Sequence, residues 1–354
     1  MSLNTVYTPD HLLEAAQAEV SDAQAAQVAV EHFDLHGPLQ RLAGERDLNF
    51  HIDDPRGGRL LKLSHPLEDP QVVDFQNQAL LRIERADPTL PVQRLFPNLS
   101  GSHEVRIEID GQSMQARLFS FVDGLPLHRV EQRSRSLREN LGDALARLGL
   151  ALQGFEHPAS GHELLWDLKH AQRLRGLLVH IEDRAQRSLV ERFLDNFETH
   201  ALPRLGALRA QVIHNDLNPH NVIVQHTHPE CLANILDFGD MVHAPLVNDV
   251  AVAAAYQLTE PQDALRGAEE FVAAYHRRNP LRDEELEILP DLIATRLLMT
   301  LSITAWRASL HPENRPYILR NTHHAWQSLQ GLARLSRAEA QERIANACLK
   351  EAHA

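Results

Sequence analysis

Two short apolar runs, Val222–Val224 and residues 235–236, with a turn containing His, Pro and Glu between them, constrain this chain more than any other stretch. Short apolar runs around a polar turn read as a β-hairpin. Asp216 and Asn221 lie in the polar loop that leads into the first run, and Asp237 follows the second, with Phe238 and Gly239 behind it. The hairpin therefore brings two carboxylates and one amide to neighbouring strand ends. Chemistry needs such an arrangement; packing does not.

Phosphoryl transfer needs those groups. One aspartate can accept the proton of an attacking hydroxyl. An asparagine and a second aspartate can hold Mg²⁺ on nucleotide phosphates, because Mg²⁺ takes a few oxygen ligands besides water and phosphate. The spacing His-x-Asp-x-x-x-x-Asn followed by Asp-Phe-Gly is the kinase catalytic-loop pattern, filled here by His214, Asp216 and Asn221, then Asp237, Phe238 and Gly239. His214 reads as a brace for the loop. Asp249, ahead of the apolar residues 250–255, reads as a helix cap that also braces it.

The hydrophobic period changes along the chain. Residues 8–20 and 21–33 repeat apolar positions at three and four, so two helices open the chain, the second with Ser21 as its N-cap and a stop at Gly37-Pro38. Apolar runs at 39–42, 50–52 and 60–63, separated by polar turns, then make two successive hairpins. Lys62 is the one charge inside the third run, so its amine must face a cleft or an anion. The turn 44–49 occupies the place of a phosphate-covering loop, where backbone N–H groups could cradle phosphate. Residues 70–85 form an amphipathic helix. Gln76 and Gln78 stand where protein kinases carry the glutamate that pairs with the strand lysine, and Glu68, Asp74 and Glu84 lie close by, so the partner of Lys62 stays open.

A further hairpin, 105–109 and 116–122, runs into Asp123-Gly-Leu-Pro126. This places an interlobe hinge near Asp123 and sets the backbone of 120–122 against a purine edge. Beyond it, 134–155, 164–179, 188–202, 251–256, 264–275 and 286–310 read as helices, and 337–354 as a solvated terminal helix. The expected fold is α+β: an N-terminal helical segment (1–37), a small antiparallel-sheet lobe (38–122) and a mainly helical lobe (123–354).

These residues together resemble the aminoglycoside phosphotransferase/choline kinase superfamily, small-molecule kinases with a bilobal protein-kinase-like fold. The resemblance covers roughly residues 35–325. More narrowly, Gly-Glu-Arg-Asp-Leu-Asn-Phe at 44–50, the Gln-containing helix near 74–81 and the loop 214–221 resemble the hydroxylysine kinase branch, which also occurs fused to class III aminotransferases; no aminotransferase portion is present here. The resemblance implies that Asp216 is the catalytic base or hydroxyl-orienting group, that Asn221 and Asp237 bind Mg²⁺, and that Lys62 meets the nucleotide phosphates. It implies that Gly44, Arg46 and Asn49 belong to the phosphate cover and that Phe121 and Val122 hold the base of ATP or GTP. The departures are the lone glycine in the covering turn and the absent helix glutamate.

The acceptor should be small. Asn218 stands where Ser/Thr kinases usually place lysine, too few residues follow Asp237 for an activation segment, and no Ala-Pro-Glu appears. Arg296, Thr300, Ile303 and Arg307 recur at three and four, so Arg296 and Arg307 share a helix face and offer a place for a substrate carboxylate, with salt bridges as the alternative. Asp240 is a candidate for a substrate ammonium or for support of the magnesium site. A formal charge of −13 disfavours nucleic acid and anionic membranes, and suits a cationic small substrate as well as plain solubility. Cys231 and Cys348 make no disulfide or zinc framework, and no His-x-x-x-His pair with a carboxylate partner is seen on a helix. A polar start and no long uncharged apolar run point to a cytoplasmic protein. The sequence thus reads as a kinase for a hydroxy amino acid such as 5-hydroxylysine. The alternatives are a choline/ethanolamine, homoserine or aminoglycoside acceptor, or a nucleotide-binding pseudokinase, against which the intact Asp216, Asn221, Asp237 and Lys62 argue. Oligomeric state is left open.

Overall fold

Ser21 caps the first helix of the computed structural model, Asp22–Phe33: its hydroxyl accepts from the Gln24 N–H while the Gln24 side chain accepts from the Ser21 N–H, a capping box. The structure describes residues 18–351 apart from 45, 260 and 321, so most of the helix expected over 8–20 lies outside the described residues. The capped helix ends at Asp34, in the left-handed region at φ 54°, rather than at Gly37. Gly37 serves a close approach instead. A Cβ there would lie 1.9 Å from the Asp53 carbonyl oxygen.

The antiparallel sheet follows the expected hairpins. Its strands lie in the order β1 (Leu39–Leu42), β2 (Leu48–Ile52), β3 (Arg59–Leu63), β6 (Gln112–Ser120) and β4 (Leu95–Phe96), with β5 (Val105–Ile109) pairing the first half of β6. Alternation buries Leu48, Phe50, Ile52, Leu61 and Leu63 against the helix Asp22–Phe33. The register sets Lys62 opposite Asn49 on one side and Arg117 on the other, so one polar row crosses the sheet. The helix Pro70–Ala86 starts from an Asp69 cap with proline at its first position. Its buried Phe75, Ala79, Leu80 and Ile83 join the core of the helical part, not that of the sheet. The two parts are therefore welded along this helix.

In the helical part, Arg135–Ala151 packs on Arg266–Arg278, and the long helix Asp283–Leu310 runs through the centre. By length and composition alone that helix could cross a membrane, but Asp291, Arg296 and Arg307 interrupt it, so it is not a long uncharged run. Of its apolar stretch, 94% is buried inside the protein, as a core helix requires. Residues 168–180, expected as α-helix, instead wind in 3₁₀ turns. Leu168, Ala171, Leu174 and Leu177 are spaced by three, and only a 3.0-residue turn keeps that stripe on one face. The terminal helix Arg337–Glu351 is not solvated on all sides as expected. Ala340, Ile344 and Cys348, four apart, are buried against Arg266–Arg278 and Asp283–Leu310.

The chain crosses between the parts over residues 121–124. A second link was not expected: Ile235 donates to the Pro91 carbonyl at 2.7 Å and Gln93 donates to the Ile235 carbonyl at 3.3 Å. After the crossing, β7 (Leu125–Pro126) adds to the hairpin β9 (Val222–Val224) and β10 (Leu232–Ile235), while β8 (Ala210–Ile213) pairs β11 (Val242–Pro245). A Cβ on Gly124 would lie 2.4 Å from Ile223 Cγ2 and 2.6 Å from the Val224 carbonyl oxygen. Gly124→Ala should push the linker off β9 and cost about 1–3 kcal/mol, read from urea unfolding; an unchanged midpoint would mean that the linker does not need this contact.

Candidate active site

The hairpin β9–β10 is anchored by buried valines and Ile235, and its flanking loops are tied together from behind. Asp249 does this. It lies inside the first turn of the helix Leu246–Ala255 rather than at its cap, and its carboxylate accepts from the backbone N–H groups of His214 at 3.3 Å and Asn215 at 2.8 Å. Those bonds hold Asn215 in the left-handed region at φ 65°, a conformation that costs a non-glycine residue free energy and persists only where surroundings enforce it. The His214 ring completes the brace: Nδ1 accepts the Asp216 N–H at 3.3 Å, so Nε2 carries the proton and donates to the Leu236 carbonyl at 3.1 Å. Asp249→Asn would turn an amide donor toward one of the two N–H groups. The expected loss is about 1–3 kcal/mol with a matching fall in turnover; wild-type stability in thermal unfolding would remove Asp249 from this role.

Asp216, Asn221, Asp237 and Lys62 line one cavity of about 470 Å³ between the sheet and the helical part. Asp216 is pinned from three directions. Oδ1 accepts from Arg296 Nη2 at 2.6 Å, and Oδ2 accepts from Asn218 Nδ2 at 2.7 Å and Asn221 Nδ2 at 2.8 Å. Burial pushes its carboxyl up to about 8; Arg296 pulls down, and Asp240 and Asp237 push up. Asp237 behaves oppositely. Burial raises it, but Lys62 and Arg46 outweigh that and hold it below the usual carboxylate range. Environments that separate two carboxylates in this way assign them different tasks: Asp216 can take a proton near neutral pH, and Asp237 stays ionised.

The donor set fits a magnesium ion. Asn221 Nδ2 donates to the Asp216 carbonyl at 3.0 Å and to Asp216 Oδ2 at 2.8 Å, which turns its amide oxygen the other way. Asp237 sits at φ 56° with Oδ1 accepting the Gly239 N–H at 3.1 Å, again a strained residue beside ionisable groups. Mg²⁺ would take the Asn221 amide oxygen and the Asp237 carboxylate, with phosphate and water filling the rest of its shell.

Lys62 finds a partner that sequence reasoning did not identify. Its Nζ lies 3.1 Å from Asp47 Oδ2, so none of Glu68, Asp74 and Glu84 takes that place. The helix needs no glutamate because Gln76 and Asn77 serve a different cation, accepting from Arg117 Nη1 at 2.9 and 3.3 Å. Arg117, opposite Lys62 and also lining the cavity, was missed, although a charge inside an apolar strand is the same signal that picks out Lys62. Gly44 and Asn49 line the cavity from the covering turn. Arg46 reaches across to Asp240 at 3.1 Å, so Asp240 already holds a cation.

Two groups of expected residues are placed elsewhere. Phe121 and Val122 are not among the cavity-lining residues; the Phe121 ring stacks on His51 at 3.8 Å and its N–H donates to the Gly58 carbonyl at 3.2 Å. Arg296 and Arg307 do not act as a pair. Arg296 sits behind Asp216, packed over Trp166 and hydrogen-bonded to the Tyr256 hydroxyl, while Arg307 is three turns along the helix, about 16 Å by the α-helical rise, and does not line the cavity.

A kinase-like frame with an antiparallel-sheet part, a helical part and this constellation between them defines a phosphotransfer enzyme. The chain belongs to the phosphotransferase enzyme family, which it matches over residues 38–287, and is a small-molecule kinase of that family. Hydroxylysine kinase of Mus musculus is 26% identical over 345 residues, with 90% of each chain covered. That of Xenopus laevis is 28% identical over 328 residues, covering 86% of this chain and 87% of the relative. An amicoumacin kinase solved with AMP-PNP and Ca²⁺ superposes with a TM-score of 0.64 at 14% identity, covering 87% of this chain and 95% of that one. A microcompartment-associated aminopropanol kinase gives 0.62 at 21% identity, covering 93% and 100%. At these identities the solved structures show a shared fold.

Proposed function

We propose that this protein transfers the γ-phosphoryl group of ATP or GTP to the hydroxyl of a small amino compound, and that the compound is a hydroxy amino acid such as 5-hydroxylysine. The observation that carries the reading is the meeting of Asp216, Asn221, Asp237 and Lys62 in one cavity. Asp216, with three donors fixing its plane, would align the acceptor hydroxyl and take its proton. Asn221 and Asp237 would hold Mg²⁺, which when bound neutralises charge on the phosphates. Lys62 and Arg117 would face the phosphates from the sheet, with Gly44, Arg46 and Asn49 above them. Because the Phe121 N–H is engaged, Val122 is the better candidate of the two for contact with the base. The acceptor class draws support from hydroxylysine kinases that align with nearly the whole chain.

An ADP- and GDP-release assay over 5-hydroxylysine, homoserine, choline, ethanolamine and aminoglycosides tests this. The expected result is Mg²⁺-dependent turnover with kcat/KM highest for 5-hydroxylysine. Equal or better turnover of choline or an aminoglycoside would move the acceptor. Tight nucleotide binding with no product from any acceptor would mark a pseudokinase.

A further inference from the structure

The cations of the cavity are not equivalent. Arg46 and Lys62 are ion-paired to Asp240 and Asp47, and Arg117 donates to Gln76 and Asn77. All three come from the sheet part, on the side assigned above to the nucleotide phosphates. Arg320 lines the same cavity but comes from the helical part, as do Asp216, Asn218 and His220. Among the described residues no carboxylate pairs with it. It stands exposed at the rim of that cavity, where, in a chain of formal charge −13, it is open to an incoming anion.

Its setting is ordered. The guanidinium lies over the Tyr317 ring, 3.8 Å from the centroid, and Nη1 donates to the Tyr317 carbonyl at 3.1 Å. Two stacked imidazoles, His128 and His220, 4.3 Å between centroids, lie beside it. Burial, then the nearby His220, Arg129 and Arg320, depresses the His128 imidazole. The loop carrying His220 is tied to the catalytic carboxylate through its backbone: the His220 backbone N–H donates to Asn218 Oδ1 at 2.7 Å, and Asn218 Nδ2 donates to Asp216 Oδ2 at 2.7 Å. A cationic, planar group from the helical part thus lines the same cavity as Asp216.

We infer that Arg320 holds the carboxylate of the acceptor, with His128 and His220 as the wall beside it, so that this kinase recognises a hydroxy amino acid by its carboxylate and not only by its amine. The inference rests on the small-molecule kinase reading given above and makes it narrower. Arginine presents paired N–H donors that match a carboxylate. Choline, ethanolamine, aminopropanol and aminoglycosides have no such group to offer.

The test compares 5-hydroxylysine with 1,5-diaminopentan-2-ol, the same molecule without its carboxylate, in the wild-type enzyme and in Arg320→Gln. In the wild type, losing the carboxylate should lower kcat/KM by about 10- to 100-fold, the worth of a charged hydrogen bond. Arg320→Gln should raise KM for 5-hydroxylysine by a similar factor, leave KM for ATP and turnover of the diamino alcohol unchanged, and so erase the discrimination. An unchanged KM for 5-hydroxylysine in Arg320→Gln would overturn the inference, as would a rise confined to KM for ATP, which would give Arg320 to a phosphate. A wild-type enzyme that uses both acceptors equally well would remove the carboxylate subsite and leave the kinase standing. One that phosphorylates neither, while turning over choline or an aminoglycoside, would overturn the carboxylate inference and the hydroxy amino acid acceptor but not the kinase.

Discussion

Asp216→Asn should lower kcat by about 10²- to 10⁴-fold, the usual contribution of a positioned general base, with the Kd for nucleotide nearly unchanged. Asp216 contacts Arg296, Asn218 and Asn221 and would face the acceptor, whereas the nucleotide would be held by Lys62, Arg117 and the covering turn. An asparagine here has a further problem. Its oxygen can face Arg296 only by turning its own Nδ2 toward the amide donors of Asn218 and Asn221, so the hydroxyl-facing geometry is lost together with the base. Single-turnover kinetics below the variant's unfolding temperature, beside nucleotide titration, separate these effects. Wild-type turnover in a folded Asp216→Asn would take Asp216 out of the chemistry.

Arg296→Met should cost about 1–3 kcal/mol, because the buried Asp216 carboxyl loses a hydrogen-bond donor that nothing replaces. Arg296 is 3% exposed, its Nη2 is 2.6 Å from Asp216 Oδ1, and its guanidinium packs over Trp166 and against Tyr256. The carboxyl of Asp216, already raised by burial, would lose the one cation that pulls it down and would hold its proton to higher pH. The double variant Asp216→Asn/Arg296→Met should recover most of the stability and none of the activity. Chemical denaturation of the three variants decides this. A single Arg296→Met as stable as wild type would show that the pair is screened like a surface bridge.

What the sequence made legible was local. Asp216, Asn221 and Asp237 could be read because a fixed spacing across one hairpin fixes them in space, and Lys62 because a charge in an apolar strand must point somewhere polar. The partners were not legible, since they are set by tertiary contact. Asp47 looks like any turn aspartate until β2 and β3 pair and carry it to Lys62. Arg296 was visible on a helix face, but its apposition to Asp216, 80 residues away in sequence, depends on how the long helix threads the core. Arg307 was grouped with it by helical spacing alone, which says nothing about distance along the axis.

The same division explains the errors in secondary structure. Residues 164–179 read as a helix, but the stripe Leu168, Ala171, Leu174 and Leu177 has a three-residue period that a 3₁₀ helix serves better than an α-helix. The terminal helix, expected as solvated, carries Ala340, Ile344 and Cys348 on one face, and they are buried. Sheet register, by contrast, followed the alternation closely, since a slip by one residue would turn Phe50 and Leu61 out of the core.

The central claim is that the cleft between sheet and helices joins a nucleotide phosphate to an acceptor hydroxyl. Phosphorus NMR of the wild-type reaction with ATP, Mg²⁺ and 5-hydroxylysine tests it most directly. The account predicts a new phosphomonoester resonance, split by the proton on the hydroxyl-bearing carbon, growing as the γ-phosphate signal falls. Release of inorganic phosphate alone, or an unaltered ATP spectrum from protein that binds the nucleotide, would contradict it.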